Sequence, residues 1–524
     1  MSSVTVVASA AGVDGAVGEA DWLLNPRWDE VPVATPAAFA QALGLTTRVG
    51  PSGPAESTGL SRHTDGGRLV LLAPHPDDET LGLGASLADL SDGGIELVVV
   101  LLTDGEASHP RCRHVSRDEL VARRADEFNT AVGLLAPRAE IVRLGLPDGG
   151  LPDAADDLAA ALEDLLQEGD LVLAPLPEDG HTDHDAAGAV AAQIVASKAV
   201  ARAGDHSRVE ATRAERRAPG IRLLHYPVWR WRRSDRDRFP FDRALLLTPS
   251  LAALHRKEQA IRAYTSQIGA LTAFPGGEAV VGPVDLAPHR RLVETLIAPA
   301  ETPDVFAPIA DSTTTQECTA VARRLSAMFD AGVGDDDSDV AAGVSGDPWR
   351  TRSSWYEARK RALCLAALAR PRYGRILDIG CSVGTLTAQL AARADEVAAI
   401  DGTPEALRHA RTRYADLAQV RWIQGQVPDD LPPGPFDLVV LSEVGYFLTG
   451  AQLLGALRHA RRALRPGGEI LLCDWTHPTK DIPLDGMLVH RQAATALGLP
   501  RRVALIDQDF VVDVYGGPDT LAGL

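Results

Sequence analysis

An apolar run that breaks off into histidine and consecutive carboxylates, Arg68 to Gly84 (RLVLLAPHPDDETLGLG), is the stretch of this chain that most demands a chemical explanation. Leu69 to Ala73 has the length and polarity of a buried parallel strand, and Pro74 and Pro76 prevent it from simply continuing. His75 and Asp78 lie two and five residues beyond Ala73, close enough for an imidazole nitrogen and a carboxylate oxygen to converge on one divalent ion. Asp77 is left over as a candidate base. The plain alternative is a polar loop in which Asp77 or Asp78 caps a helix beginning near Glu79. A second cluster, His181-Thr182-Asp183-His184, again follows a short apolar strand, Leu171 to Ala174. Two such clusters favour a site over a cap.

For the clusters to meet, the elements between them must return the chain to the same edge of one sheet. The periodicity predicts strands over 69–73, 96–102, 140–144 and 170–174, alternating with helices over 79–92, 117–135, 154–168 and 185–203. That is an α/β pattern with a largely parallel sheet, in which ligands gather beyond the carboxyl ends of the strands. Residues 204–219 are charged and read as an exposed excursion. Tyr226 to Trp231 (YPVWRW) then reads as a strand, with Trp229 divided between core packing and substrate stacking. Lys257 to Gln267 is expected to be helical, with Lys257 a solvated charge rather than a catalyst, a structural role near the site being the alternative.

The composition changes at Asp330 to Gly346 (DAGVGDDDSDVAAGVSG), an acidic, small-residue stretch expected to be a linker. The organisation expected is a lead-in over 1–66 that partly wraps the first domain, a first domain over 67–310, a connecting segment over 311–346 and a second domain over 347–524. Both domains are expected to be doubly wound, with mainly parallel sheets. In the second, a strand over 376–379 runs into Gly380, Gly384 and a helix beginning near Thr385; glycine lets the backbone turn sharply toward a ligand. A following strand, 396–400, ends in Asp401, where an acid can accept both ribose hydroxyls of an adenosine. An apolar strand over 437–441, a helix over 451–464 and an Arg465-Pro466-Gly467-Gly468 turn complete the pattern.

The whole first region resembles the PIG-L/LmbE-like family of zinc-dependent N-deacetylases. The likeness is carried by PHPDDE, TDGEASHP (Thr103 to Pro110), GLPDGGL (Gly145 to Leu151), HTDH, YPVW and the K-x-x-A-I-x-x-Y-x-S-Q run from Lys257 to Gln267. It implies His75, Asp78 and His184 as zinc ligands, Asp77 as the base, His181 as the group that stabilises the oxyanion or protonates the leaving amine, and Asp183 as an orienting carboxylate. From about Asp347 onward the chain resembles class I S-adenosylmethionine-dependent methyltransferases, and DPW, SWYE, RKRALCLAAL and LSEVGYFL are similar to the NodS-like N-methyltransferases, whose substrates are amino sugars freed by a deacetylase. The cofactor residues this implies are Asp378, Gly380, Gly384, Asp401 and Gln426, with Glu443 and Tyr446 beside the methyl donor, or else a loop carboxylate and a rim aromatic; His477 is a reserve base but reads first as an exposed loop histidine. Cys381-Ser382-Val383 replaces a more glycine-rich loop, and Gln424-Gly425-Gln426 stands where an acid often holds the adenine amino group. A dinucleotide-binding reading is disfavoured because the loop is not GxGxxG.

The two resemblances together imply a bifunctional enzyme: zinc-dependent N-deacetylation of an amino sugar conjugate, then S-adenosylmethionine-dependent N-methylation of the freed amine. The alternatives are methylation at an oxygen, unrelated substrates, or a second domain that only binds a ligand or partner. With 71 acidic against 52 basic residues and a formal charge of -19, a nucleic-acid backbone or anionic membrane surface is a poor partner. A small-molecule substrate suits the charge better. Five cysteines without CxxC spacing indicate neither a disulfide framework nor a thiolate zinc site. With no signal sequence or apolar span in view, a cytoplasmic location is expected.

Overall fold

The computed structural model describes residues 5–6, 16–45, 67–206, 220–310, 347–479 and 482–518. Two compact units emerge, and their boundaries are not those expected: Glu30–Thr313 forms one, while Met1–Asp29 joins Thr314–Leu524 in the other. The lead-in expected to wrap the first domain is therefore divided, and its first part belongs with the C-terminal half. Strand β1 (Thr5–Val6) and helix α1 (Ala16–Leu23) lie in that part. The expected acidic linker lies outside the described residues, as does the excursion beyond residue 206.

The unit Glu30–Thr313 runs β2 (Val33–Ala34), α2 (Pro36–Ala42), β3 (Leu69–Ala73), α3 (Asp78–Asp92), β4 (Leu97–Thr103), α4 (Arg117–Leu135), β5 (Glu140–Leu146), α5 (Ala155–Leu165), β6 (Leu171–Pro175), α6 (Thr182–His206), β7 (Arg222–Tyr226), β8 (Ala244–Leu247), α7 (Leu251–Ala263) and β9 (Glu294–Ile297). The sheet order is β2-β8-β9-β7-β6-β3-β4-β5, parallel except where β9 meets β7 and β8. From β3 the chain winds outward through β4 and β5, then returns to β3's other side with β6. The point of reversal is thus between β3 and β6, which pair Leu69 with Leu171 and Leu71 with Leu173. Both strands are buried throughout, as their unbroken Leu/Val runs require. Two expectations fail here. Tyr226 ends a strand instead of starting one, because Pro227 follows it and Trp229–Arg232 turns into a 3-10 helix. The helix expected over Lys257 to Gln267 starts earlier, at Leu251 on a Ser250 cap, and breaks at Tyr264 before a single turn, Thr265–Ile268.

The other unit continues with α8 (Trp355–Ala367), β10 (Tyr373–Ile379), α9 (Thr385–Ala391), β11 (Ala394–Asp401), α10 (Pro404–Arg413), β12 (Val420–Gln424), β13 (Phe436–Ser442), α11 (Gly450–Ala463), β14 (Leu464–Trp475), α12 (Gly486–Ala496), β15 (Arg501–Ile506) and β16 (Phe510–Gly516). Its sheet order, β1-β15-β16-β14-β13-β10-β11-β12, is parallel from β14 to β12, with β16, β15 and β1 added antiparallel. Again the winding reverses, here between β10 and β13. The expected Pro-Gly-Gly turn is absorbed into β14 as an irregularity: Leu464 pairs with Phe436, the register slips, and Glu469 resumes opposite Leu438.

The N-terminal segment is built into this second unit. Helix α1 packs on α12, Trp22 is buried, and its carbonyl accepts the Trp28 indole N–H at 2.9 Å. Asp29 receives Arg458 and Arg462, each at 2.9 Å. Replacing a buried tryptophan by alanine costs about 3–5 kcal/mol. Trp22→Ala should therefore deprotect the amides of α12 in hydrogen–deuterium exchange while leaving β3 and β6 as slow as before; unchanged exchange in α12 would show that the segment contributes nothing to that unit.

Candidate active sites

Strand β3 delivers its chemistry abruptly. The Pro74 carbonyl accepts both the backbone N–H and the hydroxyl of Thr103 at 3.0 and 2.9 Å, which ties the loop to the end of β4. His75 then donates its backbone N–H to Asp78 Oδ2 at 2.8 Å. Asp77 heads α3 but its carboxylate makes no capping hydrogen bond, so the helix-cap reading fails. Its backbone sits at φ 144°, a conformation costing a non-glycine residue about 1–3 kcal/mol. Neighbours hold it there. Asp77 donates its backbone N–H to Glu79 Oε2 at 3.3 Å, and Glu79 Oε1 accepts the Thr80 and Tyr264 hydroxyls, both at 2.5 Å. Arg124, buried behind the loop, donates to the Pro76 and Gly105 carbonyls and places Nη2 3.5 Å from the Asp77 carboxylate.

The second cluster meets the first. His184 Nε2 lies 3.2 Å and His75 Nδ1 3.3 Å from the same Asp78 oxygen. The three rings of His75, His181 and His184 can offer nitrogens to one ion, and so can His75 with Asp148 and Asp183. Asp183 accepts the Gly149 and Leu151 N–H groups at 2.8 and 3.1 Å and lies 3.1 Å from His75 Nε2, so it positions His75 and the loop after β5. His181 Nδ1 accepts the Asp183 N–H at 3.2 Å, which leaves a neutral His181 carrying its proton on Nε2. Trp229 stands 6.3 Å from His181 and 6.5 Å from His184, with the Arg232 guanidinium 4.0 Å over its ring. It is a braced wall of the site.

Two carboxylates at this site escaped sequence reasoning. Asp179, fully buried, accepts the backbone N–H groups of Val228, Trp229 and Arg230 and approaches His184 Nδ1 at 3.0 Å. Asp148 Oδ1 lies 3.2 Å from His75 Nε2, while its Oδ2 accepts the Ala107 N–H. Asp148 stands within the GLPDGGL motif, which was the available signal; Asp179 had none beyond proximity to His181. Lys257 is not the solvated charge expected, and the alternative of a structural role fits what is seen. It is buried, donating to Glu294 at 2.6 Å and to the Leu81 carbonyl at 3.1 Å. Helix α3 breaks at Leu83, which frees that carbonyl and the Ala85 and Ser86 N–H groups; Glu294 accepts both of the latter, at 3.0 and 2.7 Å.

Burial dominates the electrostatics. It pushes Asp77 up to about 7, with Arg124 pulling the other way and Asp78 adding to the rise. For Asp78 burial is outweighed by His184 and His75, which hold it well below the usual carboxylate range. Burial would likewise lower His184, but Asp78 and Asp179 raise it to about 9. Neither His184 nitrogen makes a hydrogen bond of usable angle although both are buried. Nitrogen and oxygen donors with an excess of buried carboxylate, around a histidine without hydrogen bonds, suit a divalent cation.

In the other unit one pocket runs past the carboxyl ends of β10, β11 and β13 and includes Asp378, Gly380, Asp401, Gln426, Glu443 and Tyr446. Gly380 has φ 74°, and a side chain there would sit 2.7 Å from Val444; Gly384, at φ 79°, is the N-cap of α9. Asp378 accepts the Thr387 hydroxyl at 2.6 Å and is pushed by burial to about 7. Asp401 accepts the Ser382 and Thr403 N–H groups, both at 2.8 Å, so it also braces the glycine loop. Glu443, at φ 59°, accepts Lys360 at 2.8 Å and the Tyr446 hydroxyl; Lys360 donates equally to Glu357. Lys360 and Glu357 were hidden inside the SWYE and RKRALCLAAL motifs. His477 is exposed, paired with Asp509 at 2.8 Å and absent from the pocket lining.

Comparison with known proteins agrees with this division. Residues 70–195 match the family model for GlcNAc-PI de-N-acetylase (PIG-L), and residues 376–468 match that for a methyltransferase domain. Nodulation protein S of Rhizobium tropici is 32% identical over 127 residues, 24% of this chain and 53% of that protein. Diacetylchitobiose deacetylase of Thermococcus kodakarensis is 33% identical over 132 residues, 24% of this chain and 49% of that protein. The chain thus spans about half the length of these curated relatives. A crystal structure of the N-methyltransferase NodS from Bradyrhizobium japonicum with S-adenosyl-L-homocysteine is 21% identical, covering 38% of this chain and 99% of that one, with a TM-score of 0.31. The chain thus joins a segment matched by the PIG-L family to one matched by a methyltransferase domain family.

Behind the Glu443–Tyr446 end of the pocket, α12 packs Val489 under Gly445 and buries His490 between Asp513, at 2.8 Å, and Asp474, at 3.3 Å. Burial alone would lower His490, but its two carboxylate partners raise it to about 9. A raised folded-state value means the stabilisation is complete below the unfolded value near 6.5 and disappears as pH climbs through about 9. Thermal unfolding of the C-terminal unit should accordingly show a midpoint that declines across that window, and His490→Gln should flatten the decline. A wild-type midpoint constant from pH 6 to 9.5 would mean that the histidine is not charged in the folded protein.

Proposed function

We propose that this chain removes an N-acyl group, acetyl by preference, from an amino sugar conjugate and then methylates the freed nitrogen. The observation that carries the reading is the convergence of His75, Asp78 and His184 with the unpaired-by-cap Asp77 beside them at the β3–β6 reversal. His75, Asp78 and His184 would hold a zinc ion, which when bound supplies Lewis acidity toward an amide carbonyl and a water of lowered pKa.

The rest of the hydrolysis falls to side chains. Asp77, desolvated to a value of about 7, is matched to accept a proton from water near neutral pH and hand it toward the leaving nitrogen. Arg124 fixes the loop that presents it. His181, with its proton on Nε2, can donate to the developing oxyanion or the departing amine. Asp179 anchors the turn that carries Trp229, and Asp183 holds the loop of Gly149 against His75.

In the second pocket Asp401 would accept the ribose hydroxyls of S-adenosylmethionine, with Asp378, Gly380 and Gly384 shaping the loop beside it and Gln426 toward the adenine. Methyl transfer to an amine depends chiefly on proximity and alignment. Glu443, held by Lys360 and the Tyr446 hydroxyl, faces the acceptor and can take the proton the nitrogen sheds. The order follows from electronics, because an amide nitrogen delocalises its lone pair into the carbonyl and is a poor nucleophile. Similarity of one half to a protein named diacetylchitobiose deacetylase, and resemblance of the other to NodS-like enzymes, supports a shared amino sugar substrate.

Asp77→Ala should keep bound metal while losing roughly 100-fold or more of acetate release, whereas His184→Ala should lose both. Given N-acetylated substrate and labelled S-adenosylmethionine, wild type should place label on nitrogen. The Asp77→Ala variant should do so only when the substrate is supplied already deacetylated. Label on oxygen, or undiminished N-methylation of the acetylated substrate by the variant, would rule out the coupled scheme.

A further inference from the structure

Helix α12 lends no side chain to the lining of the methyl-donor pocket, yet the 3-10 turn Gly445–Phe447, whose Tyr446 does line it, packs on that helix. Val489 lies so close under Gly445 that a side chain at that glycine would come within 2.6 Å of it, and Leu484, just before α12, donates its backbone N–H to the Tyr446 carbonyl at 3.2 Å. The first turn of α12 is pressed as closely on β14, where a side chain at Gly486 would collide with the Trp475 carbonyl. One buried charge cluster fixes the helix there. His490 Nδ1 is 2.8 Å from Asp513 and its Nε2 3.3 Å from Asp474, whose two oxygens are buried without a hydrogen bond. Tyr515 and Arg501 approach Asp513 from elsewhere, at 3.1 and 3.5 Å; among the described residues, His490 is the one cation within ion-pair distance of Asp474. A buried carboxylate deprived of its cation is strongly destabilising, so the imidazolium holds α12 to β14 and β16.

Resting on the reading of this pocket as the site of methyl transfer to an amine, we infer that His490 is a positioning residue for that step: by pinning α12 it sets the place of the turn that carries Tyr446, and through the Tyr446 hydroxyl the angle at which Glu443 meets the acceptor nitrogen. The Glu443 carboxylate takes that hydroxyl and Lys360 together, so a shift of the turn must tilt it. The cofactor end is braced separately, by the Ser382 and Thr403 amides on Asp401. The same geometry makes transfer depend on pH. Asp474 of β14 and Asp513 of β16 face the ring, with Tyr515 and Arg501 beside Asp513, and Glu443 and Lys360 act on Asp474 with opposite signs. Helices α1 and α11, also packed on α12, bring buried Glu19 and Arg458, the latter paired with Asp29. Burial would lower His490, but the two aspartates raise it to about 9, so the cluster loses its cation as pH climbs through that value. Tyr446 and Lys360 do not titrate there. Burial and Glu443 hold the tyrosine well above its ordinary value; burial would lower the lysine, but Glu443 and Glu357 outweigh it.

The test compares His490→Gln with wild type in the full chain. Near neutral pH, hydrogen exchange should quicken at the Glu443, Phe447 and Leu448 amides and stay as slow as before at Ser382 and Thr403. S-adenosylhomocysteine should bind within about twofold of wild type. The kcat for transfer of labelled methyl from S-adenosylmethionine to methyl glucosaminide should fall, by up to about 100-fold for a displacement of about 1 Å. With acceptor saturating, wild-type kcat should decline as pH climbs through about 9 while its affinity for S-adenosylhomocysteine holds, and the variant should show no such decline. Val489→Ala, which leaves the ion cluster whole, should lower kcat and keep the alkaline decline. Unchanged kcat in both variants, a decline that persists in His490→Gln, or loss of S-adenosylhomocysteine binding in step with kcat would overturn the assignment and reduce His490 to a residue of stability alone. A wild type that binds no S-adenosylhomocysteine, or leaves the amine unmethylated, would instead refute the methyl-transfer reading, and the role of His490 with it.

Discussion

Five acids buried at one end of one sheet, Asp77, Asp78, Glu79, Asp179 and Asp183, impose the constraint around which the N-terminal unit is built. Charge taken out of water must be neutralised or hydrogen-bonded, and each of the five is answered differently. Asp179 is met by three backbone N–H groups and Asp183 by two; Asp78 faces two histidines, Asp77 an arginine, and Glu79 two hydroxyls. The break in α3 belongs to the same scheme. By interrupting the helix at Leu83 the chain frees backbone groups that Glu294 and Lys257 satisfy, and this buried pair locks α3, α7 and β9 together just below the loop that carries Asp77.

The second unit meets its own constraint with the same topology and different chemistry. Its reversal lies between β10 and β13, and the residues gathered there line one pocket: glycines that let the backbone approach, an acid whose two oxygens brace the loop, and the Lys360-centred carboxylates. In both units the sheet converts strand order into a site, because loops leaving neighbouring strands in opposite winding directions must part and leave a crevice.

Much of this was legible in the sequence, for a physical reason. Fully buried parallel strands need unbroken apolar runs, so Leu69–Ala73 and Leu171–Ala174 announced themselves, and polar residues at their ends had few structural uses. What stayed hidden depends on partners distant in sequence. Lys257 reads as a solvated charge until Glu294 is seen beside it. Asp179 reads as a turn residue until the Val228–Arg230 amides fold back on it. Helix-cap chemistry at Asp77 looked available, and only the backbone conformation at that residue excludes it. The placement of residues 16–29 with the C-terminal half was illegible because its evidence, a contact between α1 and α12, spans nearly the whole chain.

That contact orders events during synthesis. The unit Glu30–Thr313 is one uninterrupted length of chain, so every strand of its sheet is available once residue 313 has left the ribosome, and domains fold as units in order of emergence. Strand β1 and helix α1 precede that unit in the chain, and their partners β15 and α12 follow it. Until then α1, which carries the buried Trp22, lacks the helix it packs on. A nascent or prematurely terminated chain would therefore display a folded Glu30–Thr313 unit beside an α1 still without α12, a state that chaperones and proteases can distinguish from the finished protein.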